Sequence, residues 1–277
     1  MQTIKTELME LLRRNDLLGA ALMVGKVQDP EFDPQPYVER VLEVASRAWQ
    51  RTNRYGADSI LKAEAINYTL FKDFNLQGKT EKYKQVIDDP ARYYLHMVLD
   101  ARKGCPLSMC LLYMIMANQL GLECECLALP SYYLIKVSDV ATDFYVDPFD
   151  HGRFLKPEEF HRKFRVSMEK NRLMSTNLFE KITPYQIIAR LVQQLKHVYI
   201  LKGDALVALR AVELLSALFP QSPEVTRDRG ILYCEMEYFS KAIADLKYYL
   251  EQRPNADDFR EIKKLTSMLK GYREIMN

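Results

Sequence analysis

The sequence predicts an α+β domain, built around one buried helix and a small antiparallel sheet, followed by an all-α repeat region. Three observations carry this reading. Residues 107–120 are apolar on nearly every side and end at Gly121-Leu122, the pattern of a helix enclosed by its own domain. Residues 122–129 then alternate, with Leu122, Cys124, Cys126 and Ala128 on one face and Glu123 and Glu125 on the other, as a half-buried strand requires. In the last third Tyr199 and Tyr233, Ala208 and Ala242, and Pro220 and Pro254 each recur 34 residues apart, which marks an internal helical repeat.

The remaining elements follow in order. The N-terminal third reads as helical. After a first helix, residues 29–36 hold three prolines in seven residues and predict a loop, since each proline removes a donor and restricts its neighbour. Val38, Val41, Leu42, Val44, Ala45 and Ala48 then recur at helical spacing, and a second helix over 57–74 carries Ile60, Leu61, Ala65, Ile66 and Leu70. Asp89-Pro90 is a cap and first-turn pair that predicts a helix over 91–101, stopped by Lys103-Gly104. Beyond the central helix, 132–137 and 144–146 are rich in aromatic and β-branched residues and predict two more strands, with Ser138-Asp139 as turn chemistry between them. Pro157-Glu158-Glu159 reads as the first turn of another helix. From Thr183-Pro184 onward the chain is helical, with a final helix over 258–276.

Composition excludes several classes. The chain has 277 residues, enough for a sizeable core, and is 48% hydrophobic and 27% charged, an ordinary globular balance. A net charge of +2 makes no electrostatic case for nucleic acid. There is no run of eighteen apolar residues to span a membrane, and the first residues lack the layout of a signal peptide. Five cysteines, an odd and sparse set, fit a reducing compartment, so a cytoplasmic location is expected. Cys105, Cys110, Cys124 and Cys126 lack the Cys-x2-Cys spacing of a zinc knuckle, and neither a metal nor a cofactor is expected.

Three runs carry a family resemblance: Gly104-Cys105-Pro106-Leu107-Ser108 at the start of the central helix, Val146-Asp147-Pro148-Phe149 after the strands, and Arg227-Asp228-Arg229-Gly230 in the repeats. Together they resemble the SirB family, in which a transglutaminase-like core precedes tetratricopeptide repeats, over about residues 38–270. The 34-residue period supports the repeats independently. Gly230 stands where close helix packing excludes a side chain, and Lys196 in its place one period earlier marks that copy as degenerate. The organisation expected is an N-terminal helix and Pro-rich loop over 1–37, a transglutaminase-like (papain-like) domain over 38–180, and two tetratricopeptide-type repeats with a final helix over 183–277.

The resemblance also implies a site. The superfamily places a Cys at the start of the central helix, a His in the following strand and an Asp before the last Pro. Counting back from Gly121 puts the Cys position on Pro106, the His position falls on Tyr132, and only Asp147 matches. Proline has no thiol, and a phenol with a pKa of about 10 is a poor base at neutral pH. Cys105 is one residue off, about 100° around the helix axis or just before the helix. His151, in Asp150-His151-Gly152, could turn towards Asp147 but is also good turn material. Arg229 stands where a repeat wants an apolar residue, and is expected to reach an acid or carbonyl groups and tie the repeats to the rest of the chain. Tyr132, Asp147, Arg227 and Arg229 are therefore expected as cleft or inter-domain contacts. Tyr238, Phe239, Tyr248 and Tyr249 are expected in core and repeat packing.

The function implied is a non-catalytic protein-interaction or regulatory protein on a degenerate transglutaminase-like scaffold. Its partner is a protein, not nucleic acid or a membrane, and the chain is a monomer or weak dimer. The alternative is a cysteine-dependent hydrolase or acyltransferase using Cys105 with Asp147.

Overall fold

The computed structural model describes residues 2–52, 58–79, 86–129, 132–139, 143–160, 162 and 180–276. The chain divides into two compact units, one of residues 11–25 and 31–191, the other of residues 1–10, 26–30 and 192–277. Among the described residues no helix is long and apolar enough to cross a membrane. The helix α1 (Gln2–Arg13) opens the chain.

In the first unit the helices α2 (Leu17–Met23), α3 (Gln35–Thr52), α4 (Ser59–Tyr68) and α5 (Leu95–Ala101) lead to the central helix α6 (Pro106–Gln119). Two of these differ from the sequence expectation. The helix α3 begins inside the expected proline loop: Asp33 accepts a bond from the Gln35 N–H at 3.0 Å, and Pro36 sits in the first turn, where its missing donor has no helical partner to lose. The helix expected over 91–101 is broken. Asp89 caps a single 3-10 turn, Pro90–Arg92, Tyr94 is extended, and α5 starts only at Leu95. The break leaves the Arg92 carbonyl free to accept the Ser108 hydroxyl of α6 at 2.6 Å. The second helix ends earlier than 74, because residues Thr69–Asp73 widen into a π turn.

The central helix is buried along almost its whole length, from Pro106 to Ala117 with only Met114 partly exposed. Gly121 ends it in the left-handed region at φ 60°, which spares the clash a Cβ would bring. The N–H groups of Gly121 and Leu122 then return to the carbonyls of Asn118 and Ala117 and close the last turn. The strands β1 (Cys124–Leu129), β2 (Tyr132–Val137), β3 (Phe144–Asp147), β4 (Arg153–Leu155) and β5 (Glu180–Ile182) form one antiparallel sheet in the order β4-β3-β2-β1-β5. The helix α6 packs on β1 and β2. Leu127, Leu129, Leu134, Leu155 and Phe160 form a separate buried cluster, with Tyr145 stacked on Phe160 at 4.0 Å.

The second unit contains the C-terminal part of α7 (Pro184–Leu201), then α8 (Ala205–Leu218), α9 (Pro223–Glu235), α10 (Phe239–Gln252) and α11 (Phe259–Met276), with each of the last four packed on the next. Asp204 and Ser222 cap α8 and α9. The alanine repeat positions behave alike, Ala208 and Ala242 both being wholly buried, whereas Tyr199 is buried and Tyr233 only half-buried. Ala242, Ile243, Leu246, Tyr249, Ile262 and Leu269 make the core between the last helices. The expected aromatic stripe is only partly core. Tyr249 is buried, but Tyr238 and Tyr248 are 49% and 38% exposed.

The packing around Gly230 generates a test. A Cβ there would stand 2.9 Å from both Cγ and Cδ2 of Leu246, whereas one at Gly271 would meet nothing within 4 Å. Gly230→Ala should destabilise by roughly 1–3 kcal/mol through overpacking. Gly271→Ala, in a helix with open space, should stabilise by about 0.5–1 kcal/mol. Urea denaturation of the two variants checks the opposite signs.

Candidate functional site

The site is set by how the first turn of α6 is closed. Cys105 is extended (φ −93°, ψ 168°) and is the cap residue, so Pro106 is the first helical position. The Cys105 sulfur accepts the Ser108 N–H at 3.5 Å, and the Ser108 hydroxyl accepts the Cys105 N–H at 3.0 Å. The same hydroxyl donates to the Arg92 carbonyl. This is a reciprocal capping box with a thiol in place of the usual oxygen. Cys105 is buried, and burial pushes its pKa up, against the smaller opposing effect of the bonds from Ser108. The helix N-terminus lowers a cysteine pKa where it faces an exposed thiol; here desolvation outweighs it.

Asp147 is fully buried at the end of β3. The Tyr132 hydroxyl donates to its carboxylate, 2.8 Å from Oδ2 and 3.1 Å from Oδ1, and the Asp150 N–H donates to Oδ1 at 3.1 Å. Asp147 thereby caps the 3-10 turn Pro148–Asp150. Burial first, then the Asp147 charge and its hydrogen bond, raise the Tyr132 pKa well above the ordinary phenol range, so the phenol stays protonated and keeps donating. His151 follows in the left-handed region at φ 54°, exposed, with its ring edge-on to Phe71 at 6.4 Å. Two close approaches hold this turn. A Cβ on Gly78 would stand 2.3 Å from the Phe149 carbonyl oxygen, which accepts the Lys79 N–H, and a Cβ on Gly152 would stand 2.2 Å from Asn67 Oδ1.

Sequence reasoning missed the role of Cys110. It lies one helical turn after Pro106, on the same side of α6, and that spacing was the available signal. Cys110 and Cys126 are wholly buried. Burial first, then the neighbouring thiol of Cys126, push the Cys110 pKa far up, so Cys110 is held as a neutral thiol. Cys124 is pushed up to about 12, mainly by burial. All five cysteines are free thiols, and among the described residues no three His, Cys, Asp or Glu side chains are placed to hold a metal ion. His96 is buried among the rings of Phe32, Tyr37 and Tyr94, His197 is exposed, and His161 lies outside the described residues. A cavity of about 520 Å³ opens near the other end of α6, between Asn118, Glu123, Cys124, Ser138 and Pro184, away from the residues of its first turn.

The repeat arginines require a correction. Arg229 reaches an acid, but that acid is Asp245 of α10, held through Nε at 2.7 Å and Nη2 at 2.8 Å. Arg227 binds Asp228 and Asp258 and lies over the Tyr249 ring. These partners all belong to the second unit, so the pairs tie repeat helix to repeat helix. The reason is local: position 229 on α9 faces α10, where Asp245 is waiting. Lys196, the residue of the degenerate copy, binds Asp228 in the same network.

Comparison with known proteins gives this arrangement a family. The family model of the transglutaminase-like superfamily matches residues 35–193, more than half of the chain. The chain belongs to the transglutaminase-like superfamily. A tetratricopeptide-repeat model matches residues 195–266, directly after that core. A UPF0162 protein of Xylella fastidiosa is 26% identical over 245 residues, covering 86% of this chain and 84% of its own length. A UPF0162 protein of Vibrio cholerae is 23% identical and covers 87% of each chain. F-box only protein 21 of Pongo abelii is 24% identical over 68% of this chain, but this similarity spans only 30% of that longer protein. The transglutaminase-like core with following repeats is thus the SirB-type arrangement that the sequence motifs resemble.

The bonds at Asp147 generate a stability test. Asp147→Asn keeps an acceptor for the Asp150 N–H and places an amide beside the Tyr132 oxygen, so it should cost little. Asp147→Ala leaves buried donors without their acceptor and should cost about 1–3 kcal/mol. Thermal and urea unfolding separate the two. Equal losses for both variants would show that the charge, and not the hydrogen bonding, holds the turn.

Proposed function

We propose that this protein acts by binding another protein, with its transglutaminase-like core serving as a scaffold and not as a catalytic unit. The observation that carries this reading is the state of Cys105. A cysteine nucleophile needs a low pKa, access to substrate and an adjacent base. Cys105 is buried, its pKa is raised by burial, and its sulfur is engaged as a helix cap. Tyr132 occupies the position expected for the base, and its own raised pKa keeps it a hydrogen-bond donor. The tetratricopeptide repeats that follow support a binding role, since stacked helical repeats present extended surfaces to partners. We place the protein in the cytoplasm, as a monomer or weak dimer with a protein partner.

The alternative is a cysteine hydrolase or acyltransferase using Cys105 with Asp147, whose carboxylate is wholly buried. Alkylation kinetics decide between the two. In the folded protein Cys105 should react with iodoacetamide far more slowly than free cysteine between pH 6 and pH 8, and should become reactive only on unfolding. Because its folded pKa is raised, the native thiolate population should grow only above the ordinary thiol range. A native Cys105 rate at pH 6 well above that of free cysteine would establish the enzyme.

A further inference from the structure

We infer that a surface of the first unit, centred on Phe74, docks an acidic segment of a partner protein through the guanidinium of Arg102. This deepens the proposed binding function and rests on it. The surface follows from local structure. The π turn at the end of α4 brings Phe74 to the end of α5, where the guanidinium carbons of Arg40 and Arg102 each lie 5.4 Å from its ring centre. Arg51, eleven residues after Arg40 along α3, lies 4.0 Å from the centre of the exposed Tyr68 ring. A guanidinium over an aromatic face is held by the ring quadrupole while its edge donors stay available.

The backbone beneath is fixed. Arg102 is in the left-handed region at φ 53°, and its carbonyl accepts the Gln77 N–H at 2.8 Å. Arg40 is anchored to Asp100 at 2.7 Å and to the Leu99 carbonyl at 2.9 Å. Arg51 is paired with Asp73. Arg102 and Lys72 are exposed, and among the described residues neither has an acidic partner. Among the described residues Arg40 and Arg51 are thus answered by Asp100 and Asp73, while Arg102 keeps its donors unanswered. Arg102 presents a pre-positioned guanidinium whose planar donor fork matches a carboxylate. An acidic side chain of a partner would complete what Arg102 lacks, with Phe74 and Tyr68 offering apolar contact beside it.

Fluorescence polarisation with the full-length protein tests this. The probes are a fluorescein-labelled peptide of alternating Glu and Ala, its Gln/Ala counterpart, and a labelled single-stranded oligonucleotide. The Glu peptide should bind more tightly than the Gln peptide, and less tightly as salt rises. Arg102→Gln, which leaves the backbone demand unchanged, should weaken it about tenfold, the weight of one charge-assisted contact. Lys264→Gln, an exposed cation of the second unit, should change it less than about twofold. Equal binding of the Glu and Gln peptides would overturn the proposal. So would equal losses for the two variants, or an Arg102-dependent preference for the oligonucleotide. Because Cys105 alkylation reads the non-catalytic function separately, failure here would remove this surface and leave that function standing.

Discussion

Every α-helix leaves its first N–H groups to be satisfied from outside, and the way α6 meets that demand organises the core around it. Pro106 removes one donor at the first position, Cys105 sulfur takes the Ser108 N–H, and the Ser108 hydroxyl takes the Cys105 N–H while donating to Arg92. Each of these bonds is buried. The helix between Asp89 and Ala101 is interrupted so that the Arg92 carbonyl can take part. N–H groups at a helix start favour a thiolate, and the Ser108 N–H does face the Cys105 sulfur, but burial outweighs it and pushes the thiol pKa up. The Ser108 hydroxyl meanwhile ties this end of the helix to the segment before α5 through the Arg92 carbonyl.

Asp147 is likewise held by local hydrogen bonds. A carboxylate paired with a histidine belongs to a group that changes charge near neutral pH. Paired with Tyr132, it faces a phenol that burial and the carboxylate itself keep protonated. The sign is consistent: the raised pKa favours the neutral, donating form, so the bond persists through the physiological range. The Tyr132–Asp147 pair is a fixed one, and it holds the turn that carries Phe149 and Gly152 against Gly78 and Asn67.

The central helix, β1 to β3 and the repeat helices were legible in the sequence because their signals are long: an apolar run, an alternation, a period of 34. The strands β4 and β5 were not, since three residues each carry no periodicity. Pro36 misled because a proline that breaks a helix interior is tolerated in its first turn. Of the site, Pro106, Tyr132 and Asp147 were placed by the family resemblance, which made Tyr132 a partner of Asp147, and the position of Asp147 before a proline suggested the bond from the following turn. The burial of Cys105 could not be read in this way, because it depends on Arg92, sixteen residues before Ser108, turning its carbonyl inward. Cys110 lies one turn after Pro106, but in a helix apolar all round that spacing alone does not set it apart from its core neighbours.

The charges in the repeat region follow a related logic. A buried ion pair gains little net stability over an apolar pair, because desolvation offsets most of its attraction, but removing one partner strands the other. Arg229 replaces an apolar packing residue and Asp245 answers it with two near-parallel bonds. Lys196, Asp228, Arg227, Asp258 and the Tyr249 hydroxyl form a second chain of such contacts through α7, α9, α10 and α11. Apolar ridges can slide by a turn at modest cost, whereas a bidentate guanidinium accepts one register only. With two repeats and a closing helix there are few neighbours to average out a slip, so directional bonds supply the register that a longer array would draw from repetition. Arg229 and Asp245 are therefore coupled: either alone is a half-buried charge without its counter-ion, and the position returns to an apolar residue at least cost when both change together.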